Sequence, residues 1–120
     1  MMSITLQCHF DAAHQLALPY DSPCNRRHGH RYGVEISASA HELEHGMVVD
    51  FNVLQEVVDE FDHCDLNERL EFTVTQLATT AENIASVLAQ KLQHAVGERV
   101  SIDEVVVRET PRSLARWRRR

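Results

Sequence analysis

Ile4, Leu6, Cys8, Phe10 and Ala12 occupy every second position of the N-terminal segment, and His14 continues the series. Alternation with period two places these side chains on one face of a half-buried strand over residues 4–14. Residues 28–40 repeat the pattern, with His28, His30, Tyr32, Val34, Ile36 and Ala38 on one side. Between them, Pro19, Asp21, Ser22, Pro23 and Asn25 mark residues 15–27 as a loop. His41 to Gly46 reads as a polar turn, and Met47-Val48-Val49 as a short returning strand, which together predict antiparallel hairpins.

The period then changes. Leu54, Val57, Val58 and Phe61 recur at helical spacing behind Asn52, a residue type suited to an N-cap. Residues 62–67 form a compact polar turn. A second helix opens at Thr79-Thr80-Ala81-Glu82, where Thr79 and Glu82 have capping-box spacing. Its apolar stripe is Ile84, Val87, Leu88, Leu92 and Ala95, and Gly97 stops it. Ile102–Val107 predicts another strand running to Glu109-Thr110-Pro111, and residues 113–117 a last one. Strands, helices and strands in that order predict an α+β domain, with an antiparallel sheet covered by helices on one face.

The length of 120 residues fits one domain spanning residues 1–120, with no repeat or linker. A net charge of −6 argues against a general nucleic-acid surface, and no apolar run is long enough to cross a bilayer. Met1-Met2-Ser3-Ile4-Thr5 lacks the features of a secretory signal, so the cytoplasm is expected. The three cysteines give no disulfide framework, which fits a reducing compartment. Arginines crowd the C-terminus and surround the His28/His30 pair. Arg26, Arg27 and Arg31 are placed either to steer a phosphorylated ligand or simply to face solvent.

Candidate chemistry concentrates in Cys24-Asn25-Arg26-Arg27-His28-Gly29-His30. An extended His28-Gly29-His30 puts two imidazoles side by side, and His14 at the end of a neighbouring strand supplies a third. Three neutral imidazoles suit Zn²⁺ and leave one coordination position open for substrate or water. Cys24 is a fourth ligand closing a structural site, a base or nucleophile beside the metal, or an idle thiol. In the Asp62-His63 pair the carboxylate either fixes the imidazole for acid–base chemistry or caps its turn, leaving His63 in solvent. Glu109, after Val105-Val106-Val107, is either an exposed strand end or a carboxylate able to grip two adjacent N–H groups of a heterocycle.

These segments resemble the 6-pyruvoyltetrahydropterin synthase family, and within it the bacterial 6-carboxy-5,6,7,8-tetrahydropterin synthase branch of the queuosine pathway. The resemblance rests on Phe10-Asp11-Ala12-Ala13-His14, Cys24 to His30 with Tyr32, and Val49-Asp50-Phe51-Asn52-Val53-Leu54. It continues through Asp62-His63 with Leu66-Asn67, Thr80-Ala81-Glu82-Asn83-Ile84-Ala85 and Val107-Arg108-Glu109-Thr110. It implies zinc ligands at His14, His28 and His30, catalytic roles for Cys24, Asp62 and His63, and a pterin anchor at Glu109. The three residues between Cys24 and His28 match the carboxy-forming branch; pyruvoyl-forming relatives have a longer spacing. Arg27 stands where an apolar residue is frequent, and Thr79 where proline is frequent.

The implied reaction is a carbon–carbon lyase step, converting 7,8-dihydroneopterin triphosphate to 6-carboxytetrahydropterin, acetaldehyde and triphosphate. The implied fold is the tunnelling fold, a four-stranded antiparallel sheet with two helices on one face. Its subunits assemble, commonly as hexamers, with active sites at their interfaces. Two other readings stand beside this one: pyruvoyl-type synthase activity, and a non-catalytic binding module whose zinc site Cys24 closes.

Overall fold

The computed structural model describes residues 1–120. Two long strands, β1 (Met2–His14) and β2 (His28–Ala40), form the spine of the sheet. They pair antiparallel over their whole length, with His14 opposite His28 and Ala12 opposite His30. Helix α1 (Phe51–Asp59), a two-residue strand β3 (Cys64–Asp65), a one-turn helix α2 (Leu70–Thr73) and helix α3 (Ala81–Val96) follow. Strands β4 (Ser101–Thr110) and β5 (Ser113–Arg118) close the chain, and the sheet order is β3-β1-β2-β4-β5.

The α+β architecture matches the expectation, with corrections to individual elements. The sheet has five strands because β3 adds a short parallel edge beside Ala12 and Ala13. There are three α-helices rather than two, α2 being a single turn. Met47–Val49 forms no strand either: Met47 makes only an isolated bridge to Glu44 across a tight turn. Left-handed His45 and Gly46 reverse the chain so sharply there that no second ladder begins.

Even-numbered positions of β1 and β2 face the helices. Phe10, Tyr32, Ile36, Leu54, Phe61, Ile84, Leu88, Leu92 and Ile102 are fully buried in one core. Helix α1 buries Leu54, Val57 and Val58, and α3 buries the stripe from Ile84 to Leu92. Both N-caps lie one or two residues away from the predicted ones. Asp50, not Asn52, accepts from the Asn52 backbone N–H at 2.9 Å, and Thr80, not Thr79, accepts from Asn83 at 3.3 Å. Gly97 ends α3 at φ +77°, a conformation open to glycine at little cost.

An ionic cluster ties the short helices to α3. Glu71 meets Arg69 at 2.8 Å and Lys91 at 3.0 Å, while the Arg69 guanidinium lies 4.8 Å from the centre of the Phe61 ring. Burial alone would raise the Glu71 carboxyl, but hydrogen bonds from Arg69, its own backbone and Lys91 outweigh it and hold the group down to about 2.

Candidate metal and pterin site

The register of β1 and β2 builds the centre of the site. Because His14 pairs with His28 and Ala12 with His30, all three imidazoles leave the sheet on its helix-covered face. Their ring centres lie 4.5, 4.8 and 5.2 Å apart, and one nitrogen from each falls within 4.8 Å of the other two. Cys24 is exposed on the preceding loop and its sulfur is not part of this group.

Two tautomers are fixed by the backbone. His14 Nδ1 lies 2.7 Å from the Thr79 carbonyl and His28 Nδ1 lies 2.6 Å from the Arg26 carbonyl. A carbonyl only accepts, so each Nδ1 carries the proton and each Nε2 presents a lone pair. Those Nε2 atoms nevertheless face one another at 3.0 Å, and Glu109 Oε1 lies 3.5 Å from that of His14 and 3.7 Å from that of His30. Lone pairs and a carboxylate converging in a half-buried place repel unless a cation stands among them. The donor set therefore fits a resident metal ion, and N-donors of this type suit Zn²⁺. Burial pushes the His14 and His30 imidazoles below their ordinary values, partly opposed by the Thr79 carbonyl at His14 and by Glu109 at both, and this favours the neutral form that ligates.

The support around His14 was not legible from spacing. Thr79 is buried, and its hydroxyl lies 3.3 Å from Asn67 Oδ1. Asn67 in turn clamps Gln15, accepting from its N–H and donating to its carbonyl, both at 2.8 Å. The segment before α3 and the turn after β3 thus lock the strand end that carries His14. The only sequence signal was that Leu66-Asn67 belongs to a matching segment and that Thr79 departs from the usual proline.

Cys24 lies in a 3₁₀ turn over Pro23–Asn25 capped by Ser22. Asn25 knits this loop, accepting from Leu18 N–H at 2.8 Å and donating to the Tyr20 carbonyl at 3.0 Å, while the Cys24 carbonyl accepts from Leu16 at 2.9 Å. The Asn25 and Ser22 side chains and the Leu16–Cys24 backbone bond hold the loop, and its thiol is left at the surface.

Asp62 and His63 do meet, at 2.8 Å between Oδ2 and Nδ1. Adjacent side chains usually diverge; here His63 takes a left-handed conformation, φ +57°, and its N–H donates to the Asp11 carbonyl at 2.6 Å. The other Asp62 oxygen accepts from the Asp11 N–H at 2.8 Å. That bond, followed by the one to His63, holds the Asp62 carboxyl below the usual carboxylate range. The imidazole is 80% exposed at the rim of a shallow depression of about 390 Å³ bordered by Asp11, Gly29, His30, Arg31 and Cys64. A Cβ on Gly29 would meet only the Ala12 carbonyl oxygen, at 3.6 Å, so the chain's own packing does not require glycine there.

Glu109 owes its direction to a β-bulge. Arg108 pairs with Leu114 but Thr110 with Ser113, so Glu109 is the extra residue in β4, and such irregularities re-aim side chains. Of the loop arginines, Arg27 is paired with Asp65 and Arg31 with Asp11 at 3.0 Å, which leaves Arg26 without a carboxylate partner.

Strand order, helix-covered face and histidine cluster define a tunnelling-fold domain built around a three-imidazole centre. The profile of the family described as 6-pyruvoyl tetrahydropterin synthase matches residues 3–120, and the chain belongs to that family. It is 33% identical to a putative 6-carboxy-5,6,7,8-tetrahydropterin synthase of Pyrococcus abyssi, covering 88% of this chain and 83% of that protein. It is 32% identical to the 6-carboxy-5,6,7,8-tetrahydropterin synthase of Bacillus subtilis, over 92% of this chain and 80% of the relative. Among solved structures, 6-pyruvoyl tetrahydropterin synthase of Caenorhabditis elegans superposes with a TM-score of 0.79 at 26% identity, covering 99% of this chain and 96% of that one.

Proposed function

We propose that this protein is a zinc-dependent carbon–carbon lyase converting 7,8-dihydroneopterin triphosphate to 6-carboxy-5,6,7,8-tetrahydropterin, acetaldehyde and triphosphate, a step towards queuosine in the cytoplasm. The observation that carries the reading is the convergence of His14, His28 and His30 with the Nδ1 protons of His14 and His28 committed to carbonyls. The relatives named 6-carboxytetrahydropterin synthases support the product class, as does the three-residue spacing between Cys24 and His28. No helix is long and apolar enough to cross a membrane.

His14, His28 and His30 would hold Zn²⁺, which as a Lewis acid acidifies the C–H and O–H bonds of a side chain bound to it. Glu109 accepts two N–H bonds from the amino-pyrimidine edge of the substrate and fixes the ring relative to the imidazoles. His63 moves a proton at Nε2, while Asp62 holds Nδ1 and stabilises the imidazolium that forms. Cys24 Sγ serves as the second proton carrier, delivered from the surface loop. Arg26, free of internal pairing, is positioned to meet phosphate.

One face of the sheet and both its edges are uncovered in a single chain, and this supports closure with further copies into a barrel, a hexamer with sites between subunits. A product assay by mass spectrometry on metal-loaded and chelated protein tests the reading. 6-Carboxytetrahydropterin with acetaldehyde, formed only by the loaded protein, is the expected result. A 6-pyruvoyl product would move the chain to the other branch, and no product would leave a binding module.

A further inference from the structure

Tyr32 continues the series His28, His30 on the same face of β2 and is wholly buried. Its ring stacks on Phe10 at 4.8 Å and stands edge-on to His14 at 5.9 Å and His30 at 5.4 Å. Two buried side-chain oxygens make no hydrogen bond, Tyr32 Oη and Asp65 Oδ2, and the second lies against the Arg27 guanidinium. The phenol is thus a buried donor with nothing to donate to. Phenylalanine would stack on Phe10 equally well and avoid the desolvation of an unpaired hydroxyl. An orphan of this kind calls for a partner that arrives or turns.

Glu109 is the candidate. The β2–β4 pairing ends at Gly33 opposite Arg108, and Tyr32 and Glu109 are the next residue of each strand beyond that pair. Both residues flank the same two imidazoles, His14 and His30. The carboxylate receives no hydrogen bond from His14, whose proton sits on Nδ1 facing Thr79. A buried donor without a partner and a half-exposed carboxylate thus follow the last paired residues of adjacent strands, beside the same imidazoles.

We propose that Tyr32 is a positioning residue: its hydroxyl, unpartnered in the free protein, turns to the Glu109 carboxylate when the heterocycle arrives and holds it at the angle that receives the N–H edge. The proposal rests on the reading of Glu109 as the pterin anchor.

The test compares Tyr32→Phe, Glu109→Gln and the double variant in the assembled full-length protein. Neopterin binding to chelated protein, followed by its fluorescence, reports on the grip without metal or turnover. Steady-state KM and kcat on the loaded enzyme follow. Tyr32→Phe is expected to weaken neopterin binding roughly 5- to 10-fold and to raise KM more than it lowers kcat. Its melting temperature should be unchanged or higher, and it should add nothing in the Glu109→Gln background. Wild-type binding by Tyr32→Phe beside weakened binding by Glu109→Gln overturns the inference and leaves the anchor standing. Unchanged binding by Glu109→Gln sinks the anchor and the inference together. An equal loss from Tyr32→Phe in both backgrounds, or a melting temperature lowered by several degrees, shows that the hydroxyl serves another partner.

Discussion

His14 and His28 turn their Nε2 lone pairs towards each other at 3.0 Å while the backbone fixes both Nδ1 protons. Two acceptors held in this way are stabilised by a cation and by little else. Zinc should therefore raise the melting temperature, and chelation should lower it, with the shift growing with the free metal concentration. His28→Ala, which removes one of the three imidazoles, is expected to take up no zinc by elemental analysis while far-ultraviolet dichroism stays native.

A Cys24 variant is the one that distinguishes the proposed catalysis from mere binding. The Cys24 sulfur stands apart from the imidazole group, so Cys24→Ala should keep one zinc per chain and an unchanged melting temperature. Turnover should fall by about 100-fold or more, as for loss of a proton-transfer group. A variant that sheds zinc and unfolds would favour the closed structural site.

Asp62 has two distinct duties, one oxygen on the Asp11 N–H and one on His63. Asn at this position keeps an oxygen for Asp11 but offers His63 an N–H, which demands the opposite tautomer. Asp62→Asn should thus fold normally and lose roughly 10²–10⁴ in kcat. Zinc content measured on the same samples should not change.

Glu71 contributes acid-sensitive stability to the fold. Its carboxyl is held at about 2, below its ordinary 4.5. A depressed value means that the stabilisation is complete above about pH 4.5 and drains away as the pH falls towards 2. Urea unfolding at pH 7 should find Glu71→Gln less stable by about 1–2 kcal/mol, since the carboxylate is partly solvated. The gap to wild type should narrow steadily between pH 4.5 and 3.

Asn67 links two segments through Gln15. Asn67→Ala should cost about 1–2 kcal/mol of stability and weaken zinc binding about 10-fold, because the strand end carrying His14 loosens. A chelator-competition titration reads the affinity directly.

Local regularities were written into the chain. Alternation in residues 4–14 and 28–40 forces even positions to one face, and this makes the histidine trio readable from the sequence. The apolar stripe from Ile84 to Leu92 and the stop at Gly97 are equally local, since each depends on neighbours within a turn or two. What the tertiary structure alone decided involves partners far apart in sequence. Thr79 grips His14 across 65 positions, and Asn67 holds Gln15 across 52. The bulge at Glu109, the two-residue strand β3 and the reversal at His63 arise where packing overrides the repeating pattern. Periodicity reports which face a side chain leaves from; only the packed sheet and helices report what it meets there.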